Sequence, residues 1–361
     1  MLAATLVVGA ASLGAIAAAG ACLVSVPNVV STCTSNRWPA APPKSPGGNG
    51  SFFVAVHTLD YGVDLEAGAP GFNLDGLCGC GGSCTPHPNA DVACWQGDIN
   101  NAIATLFSQV RGFVGGTAPA GFDVNVHIDA GEIGLLLQVV GYNGQSDSEL
   151  KVAAFASTGT WAAGDGGTLQ PPRWDGNDVW ALDPGSVQAG PNVPFYSASQ
   201  AYVTGGTFVA LFDRFPLPAS IGVATGVFEV ENAVLTATLV PRGGTTYALA
   251  NGVLGARAPT ATLLSSLARF ADPFDGGTLC GTDPVYNFAK PAVCEAADLN
   301  QDPSKDGRGF ACNALSVGGA FTAEPAQQGA VHAPLVAPLN GCAAPDGAPW
   351  GDDCAHDNGN Y

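Results

Sequence analysis

Eleven cysteines stand behind an uncharged apolar leader, and this pairing constrains the chain more than any other feature. Residues Leu2 to Val26 carry no charge, and the stretch from Leu6 to Ile16 is rich in Ala, Gly, Leu and Val. It ends in Ala19-Gly20-Ala21-Cys22, the small-x-small pattern of a signal-peptidase site. The same tail resembles a lipobox, so lipidation of Cys22 and simple cleavage of the leader are the two expectations. With Cys22 lipidated, ten cysteines remain to pair: Cys33, Cys78, Cys80, Cys84, Cys94, Cys280, Cys294, Cys312, Cys342 and Cys354. An exported chain meets an oxidising compartment, so disulfides are expected over a zinc site at Cys78, Cys80, Cys84 and Cys94 with His87. Local pairs such as Cys342–Cys354, or pairs within Cys78–Cys94, suit the spacing; connectivity stays open.

Hydrophobic residues make up 47% of the chain, enough for a real core, whereas charged residues reach only 12%. The 49 Gly and 27 Pro favour turns over long helices. A net charge of −18 repels phosphate backbones and anionic headgroups. Nucleic acid is therefore not expected as a partner, and a membrane is expected only through the N-terminal lipid or leader.

The chain divides into a signal peptide (1–21), a Pro/Gly-rich tether (22–50), a β-rich globular domain (51–322) and a Pro/Gly-rich tail (323–361) held by one disulfide. Phe52 to Val56 is an apolar run of strand length. Ile99, Ala102, Ile103, Leu106, Phe107 and Val110 then fall on one face of a helix, with Asp98 at the N-cap position. Strand signals follow. Val124, Val126 and Ile128 alternate with Asp123, Asn125, His127 and Asp129, although a short helix fits as well. Ile133–Tyr142 and Leu150–Ala156 flank Asn143-Gly144, Gln200–Val203 and Phe208–Phe212 flank Gly205-Gly206, and Val234–Val240 and Thr246–Ala250 flank Arg242-Gly243-Gly244. Further helices are expected after Thr260 and over Val285–Ala297, where Pro291 should kink or split the second. The expected fold is mainly β: an antiparallel β-sandwich-like domain with two or three peripheral helices and disulfide-stapled loops, a closed barrel being the alternative.

Four groups are candidates for chemistry. Asp298, Asn300, Asp302 and Asp306 match alternating oxygen ligands of a calcium loop, against the presence of Pro303, Gly309, Lys305 and Arg308. Trp161, Trp174 and Trp180 lie among Arg173, Asp175, Asn177 and Asp178, a composition that can hold sugar rings. Glu229 and Glu231 share a strand face about 6.5–7 Å apart, the minimum for glycoside hydrolysis. His127 has Asp123, Asn125 and Asp129 around it. No nucleophile elbow, phosphate loop or dinucleotide fingerprint occurs in the sequence.

The leader ending in Cys22, Gly71-Phe72-Asn73-Leu74-Asp75-Gly76 before clustered cysteines, Asp98-Ile99-Asn100-Asn101 opening the helix, and Ala297-Asp298 to Cys312 followed by Ala314-Leu315-Ser316-Val317-Gly318 together resemble exported, cysteine-bearing, lipoprotein-like proteins of large-genome delta-proteobacteria. The resemblance spans about residues 51–322 and implies an outer-membrane lipoprotein or a secreted protein; it carries over no catalytic residue. The resulting expectation is a non-enzymatic binding or structural protein of the cell envelope, glycan-binding and calcium-stabilised. An extracellular polysaccharide hydrolase using Glu229 and Glu231 is the alternative, and a purely structural envelope component a third.

Overall fold

The computed structural model describes residues 36–63, 69–78, 83–87, 98–113, 123–161, 168–188, 193–221, 224–272, 275–279, 283–334 and 352–354. The leader with Cys22, and Cys33, Cys80, Cys94, Cys280 and Cys342, lie outside the described residues.

The chain is mainly β, with nine strands in one mixed sheet and four helices among the described residues. The strands are β1 (Gly50–Asp60), β2 (Gly134–Tyr142), β3 (Lys151–Thr160), β4 (Val179–Leu182), β5 (Tyr196–Thr204), β6 (Thr207–Ile221), β7 (Ala224–Gly243), β8 (Thr246–Pro259) and β9 (Ala314–Val331). The helices are α1 (Ala102–Phe113), α2 (Val124–Asp129), α3 (Thr260–Leu267) and α4 (Pro284–Glu295). All three expected Gly-turn hairpins form, as β2–β3, β5–β6 and β7–β8.

The ladders run β1–β2–β3–β5–β6–β7–β8–β9 and return to β1, all antiparallel, so the sandwich-like body is a single sheet that closes on itself. Closure between β3 and β5 is short, and a mutual backbone pair between Asp147 and Val203 extends it (2.9 and 2.7 Å). Strand β4 pairs antiparallel with β3 and parallel with β9, which makes the sheet mixed. Closure leaves few unpaired edges, the standard liability of β proteins. Tyr61, just past β1, donates its hydroxyl across the interior to the Pro218 carbonyl of β6 (2.6 Å).

One apolar core fills this interior, contributed by Phe155, Phe208, Phe212, Phe215, Leu136 and Trp180 among others. Close approach sets some of its sequence. A Cβ on Gly134 would meet the Trp180 ring at 2.5 Å, and one on Gly318 would meet the Pro70 carbonyl at 2.0 Å. The missing side chains thus let an indole and a loop lie directly on the sheet.

Several expectations change. Residues 124–129 form helix α2 rather than a strand, because the Asp123 side chain caps it by accepting from Asn125 N (3.0 Å). A six-residue segment shows barely two turns, too few to separate a helical period from strand alternation. Asp98 has φ 61° and stands four residues before the first residue of α1, outside its N-cap position. The helix starts where Ala102 N donates to Ser316 Oγ of β9 (2.7 Å). Helix α4 continues through Pro291, after a start capped by Asp283. Strand β9 runs to Val331 and pairs with β1, β8 and β4, so the β-rich body extends past 322 into the segment read as tail. Residues 36–49 do not hang free as a tether. Trp38 packs edge-on against Phe72, Tyr202 donates to the Pro39 carbonyl, and Gly48 N donates to Gly141 O (2.6 Å).

Two disulfides join described residues, and both are long-range. Cys84 pairs with Cys312 and Cys294 with Cys354, at Cα separations of 5.1 and 5.4 Å. This replaces the local Cys342–Cys354 pair and any pair of Cys84 within Cys78–Cys94. Cys78 is also disulfide-bonded, so neither it nor Cys84 is available as a zinc ligand. Disulfides of this kind mark an oxidising, extracytoplasmic environment. Among the described residues no helix is long and apolar enough to cross a membrane.

Because Phe155 of β3 is almost fully buried at the closure seam, Phe155→Ala is expected to lower unfolding stability by about 3–5 kcal/mol. Urea denaturation followed by tryptophan fluorescence measures this; a loss below roughly 1 kcal/mol would contradict a packed interior at β3.

Candidate functional site

A recess of about 280 Å³ opens beside β7, between that strand and the loop that runs from Leu299 to Asn313. Its wall on the strand side is Glu231 and Asn232; the loop supplies Asn300, Gln301, Asp302, Pro303, Lys305 and Asn313. Carboxylates, amides and one ammonium supply the polar part of this lining, and Pro303 and the side-chain stems supply the apolar part.

Strand irregularity positions the first wall. The β7–β8 register shifts between Glu231 and Val234, and Asn232 takes φ 51°. A bulge re-aims side chains, and Asn tolerates the left-handed region better than most residues. Gln301 places its side-chain nitrogen on both Glu231 oxygens (3.0 and 2.9 Å). Its backbone is held by Asn313 Oδ1, which accepts from Gln301 N (2.7 Å), and by Asn232 Nδ2, which donates to Gln301 O (3.4 Å). Asn300 Oδ1 accepts from Asp302 N (3.0 Å), while its amide donates to Ala311 O (2.9 Å).

Beneath the loop lies Arg257 of β8, 2% exposed at its side chain. It makes a two-point contact with Asp306 (3.1 and 2.6 Å) and also donates to the carbonyls of Asn300 and Leu74. One guanidinium thus ties two loops to the sheet. The same two loops are joined by Cys84–Cys312, by Thr85 N to Phe310 O (2.7 Å) and by Gly307 N to Ser83 O (2.7 Å). At the start of the second loop the half-buried Asp298 accepts from Ser316 N and Oγ (2.7 and 2.6 Å). Burial pushes the Asp298 carboxyl up to about 6 against the pull of those bonds. Burial likewise raises Asp306 despite Arg257.

The expected calcium ligands are therefore not assembled. Asp298 turns to Ser316, Asn300 to its own loop, Asp302 to Ser304 N (3.0 Å), and Asp306 to Arg257, whose charge stands where a cation would be needed. Among the described residues no group of three or more His, Cys, Asp or Glu side chains is arranged to hold a metal.

The tryptophan set also divides. Trp180 has no exposed surface and belongs to the core, so it presents no ring face to a sugar. Trp174 packs between Trp180 (5.6 Å between ring centroids) and His57 (4.2 Å), and Trp161 stacks on His332 (3.8 Å). Asp178, buried, accepts from Arg173 N and Trp174 N (3.0 and 2.6 Å) and so serves the turn. His127 bonds Glu132 (2.6 Å), not the acids near it in sequence.

Glu229 and Glu231 part company. Glu229 is clasped by Arg214 Nε and Nη2 and receives the Tyr196 hydroxyl (3.3 Å); of the two, Glu231 alone lines the recess. Sequence reasoning named Glu231, Asn300 and Asp302 for other reasons but missed Gln301, Asn232 and Asn313. The signal that was available is the run Asp298-Leu299-Asn300-Gln301-Asp302, dense in amides as well as acids.

Two stability tests follow from this floor. Arg257→Ala strands a buried carboxylate and should cost about 3–5 kcal/mol, with a smaller loss in the Arg257→Ala/Asp306→Ala double variant, measured by chemical denaturation. Asp298 is harder to ionise when folded than when unfolded, so its contribution to stability is full below about pH 4 and fades as pH rises through about 6. Wild type should therefore lose stability relative to Asp298→Asn between those pH values, on the order of 3 kcal/mol; parallel pH profiles for the two proteins would refute the assignment.

Comparison with protein-family models, with curated proteins and with solved structures found no match for the chain, so its functional reading stands on this geometry.

Proposed function

We propose that the protein is an exported, non-enzymatic binding or structural protein of the cell envelope or the secreted fraction, and that the recess beside β7 is where it holds a polyhydroxy, glycan-type ligand. The observation that carries this reading is the lining itself: two carboxylates and four side-chain amides converge on one small space. Such groups exchange hydrogen bonds with hydroxyls, and a pocket near 280 Å³ suits a single sugar ring better than a long chain. The loop is held from below by a buried ion pair and a disulfide, which is how a site is kept in shape before its ligand arrives.

The hydrolase alternative fits less well. A glycosidase needs one carboxyl that keeps its proton at working pH. Hydrogen bonds from Ser304 hold Asp302 below the usual carboxylate range, and Glu231 is already engaged by the Gln301 amide. Both groups suit acceptors of ligand hydrogen bonds. Attachment through a lipid on Cys22, or release after leader cleavage, completes the reading, in keeping with the long-range disulfides.

Titration with a panel of monosaccharides, followed by NMR of the side-chain amide signals of Gln301, Asn313, Asn300 and Asn232, tests the site. Saturable shifts confined to these signals, weakened at least tenfold by Asn313→Ala, are expected. Shifts elsewhere only, or none, would remove the recess from the account. Intact mass of the mature protein reports whether Cys22 carries lipid.

A further inference from the structure

We propose that the ligand of this recess carries a primary ammonium group, as an amino sugar does, and that Gln301 is a built-in cap occupying the ammonium's place on Glu231. This rests on the reading of the recess as a sugar-sized site and specifies the chemistry it selects.

The Gln301 side chain sets one nitrogen between the two Glu231 oxygens, at 3.0 and 2.9 Å. A nitrogen donor centred on a carboxylate is the arrangement an alkylammonium adopts, with charge added to the hydrogen bonds. Replacing a neutral amide by a cation at that point strengthens the contact, whereas replacing it by a hydroxyl does not. The cap is also free to leave. Gln301 is anchored through its backbone N–H and carbonyl, by Asn313 and Asn232, so its side chain can rotate away while the loop keeps its shape.

The charges around the recess favour a cation. Glu231 and Asp302 outnumber Lys305 in the lining, and the chain as a whole carries −18. Lys305 pairs with Asp302 within the lining (3.9 Å) and lies over the Phe310 ring (5.5 Å), which leaves Glu231 as the carboxylate for an incoming cation. Arg257 beneath the loop is neutralised by Asp306.

The test compares glucosamine, glucose and n-propylammonium by NMR titration of the full-length protein at neutral pH and low ionic strength. The expected result is that glucosamine binds at least tenfold more tightly than glucose, releases the Gln301 side-chain amide signal, and loses that advantage in Glu231→Gln, which keeps size and hydrogen-bonding capacity. Gln301→Ala should tighten glucosamine several-fold, and a glucosamine affinity that falls with this variant would overturn the cap. Equal affinity for both sugars, insensitive to Glu231→Gln, would overturn the ammonium while leaving a sugar site in place. Propylammonium binding at Glu231 with neither sugar bound would sustain the cation and overturn the sugar reading. Silence from all three probes in a folded protein would overturn both.

Discussion

Arg257 brings a full positive charge into a place almost without water, and the loops on that side of the sheet are arranged around it. Its backbone sits in β8, opposite Glu231 of β7 and Ser316 of β9. Its side chain reaches Leu74, Asn300 and Asp306, so a single residue registers two distant loops against three strands. A buried ion pair of this sort seldom stabilises a fold more than well-packed apolar side chains would. What it gives is directionality: five donors in a fixed plane accept only one arrangement of the loop. The recess lies directly above, and its wall residues keep their positions because the floor does.

The closed sheet is the second constraint. Eight antiparallel strands that return on themselves have one interior, which explains why the apolar residues of all nine strands merge into one core. The helices then take the outside and the ends. Helix α1 leans on β9, where Ser316 serves both as cap for Ala102 and as donor to Asp298. One serine thus couples the start of a helix to the start of the recess loop. Helix α4 holds a second buried pair, Lys290 with Asp352 (2.6 Å), which receives the Tyr286 hydroxyl as well (2.6 Å) and lies beside the Cys294–Cys354 link.

Local signals were legible in the sequence where local physics decides. Gly-turn hairpins and the apolar face of α1 depend on neighbours a few residues away, and they were readable. The β6–β7 hairpin was not: Pro216 and Pro218 resemble a loop, yet both lie in β6 opposite Glu229 and Val227. The C-terminal half of β9, with Pro325 and Gly329 among its small residues, passed for tail because its strand character comes from pairing with β1, β8 and β4. The site suffered in the same way. Asp298, Asn300, Asp302 and Asp306 were conspicuous as a group, but their partners, Ser316, Ser304 and Arg257, decide what each carboxylate or amide is free to do. A buried cation forty-nine residues upstream of Asp306 leaves no trace in the spacing of the acids.

Two of the staples have a consequence for survival outside the cell. Cys84–Cys312 spans 228 positions and Cys294–Cys354 spans 60, and the two loops overlap. A protease that nicks the backbone once anywhere from residue 85 to residue 353 therefore cannot shed a fragment, since one crosslink or the other still bridges the cut. With the strands on either side of the break still paired in a closed sheet, a clipped molecule keeps its shape and its recess. Even under denaturing conditions the two pieces would part only after reduction.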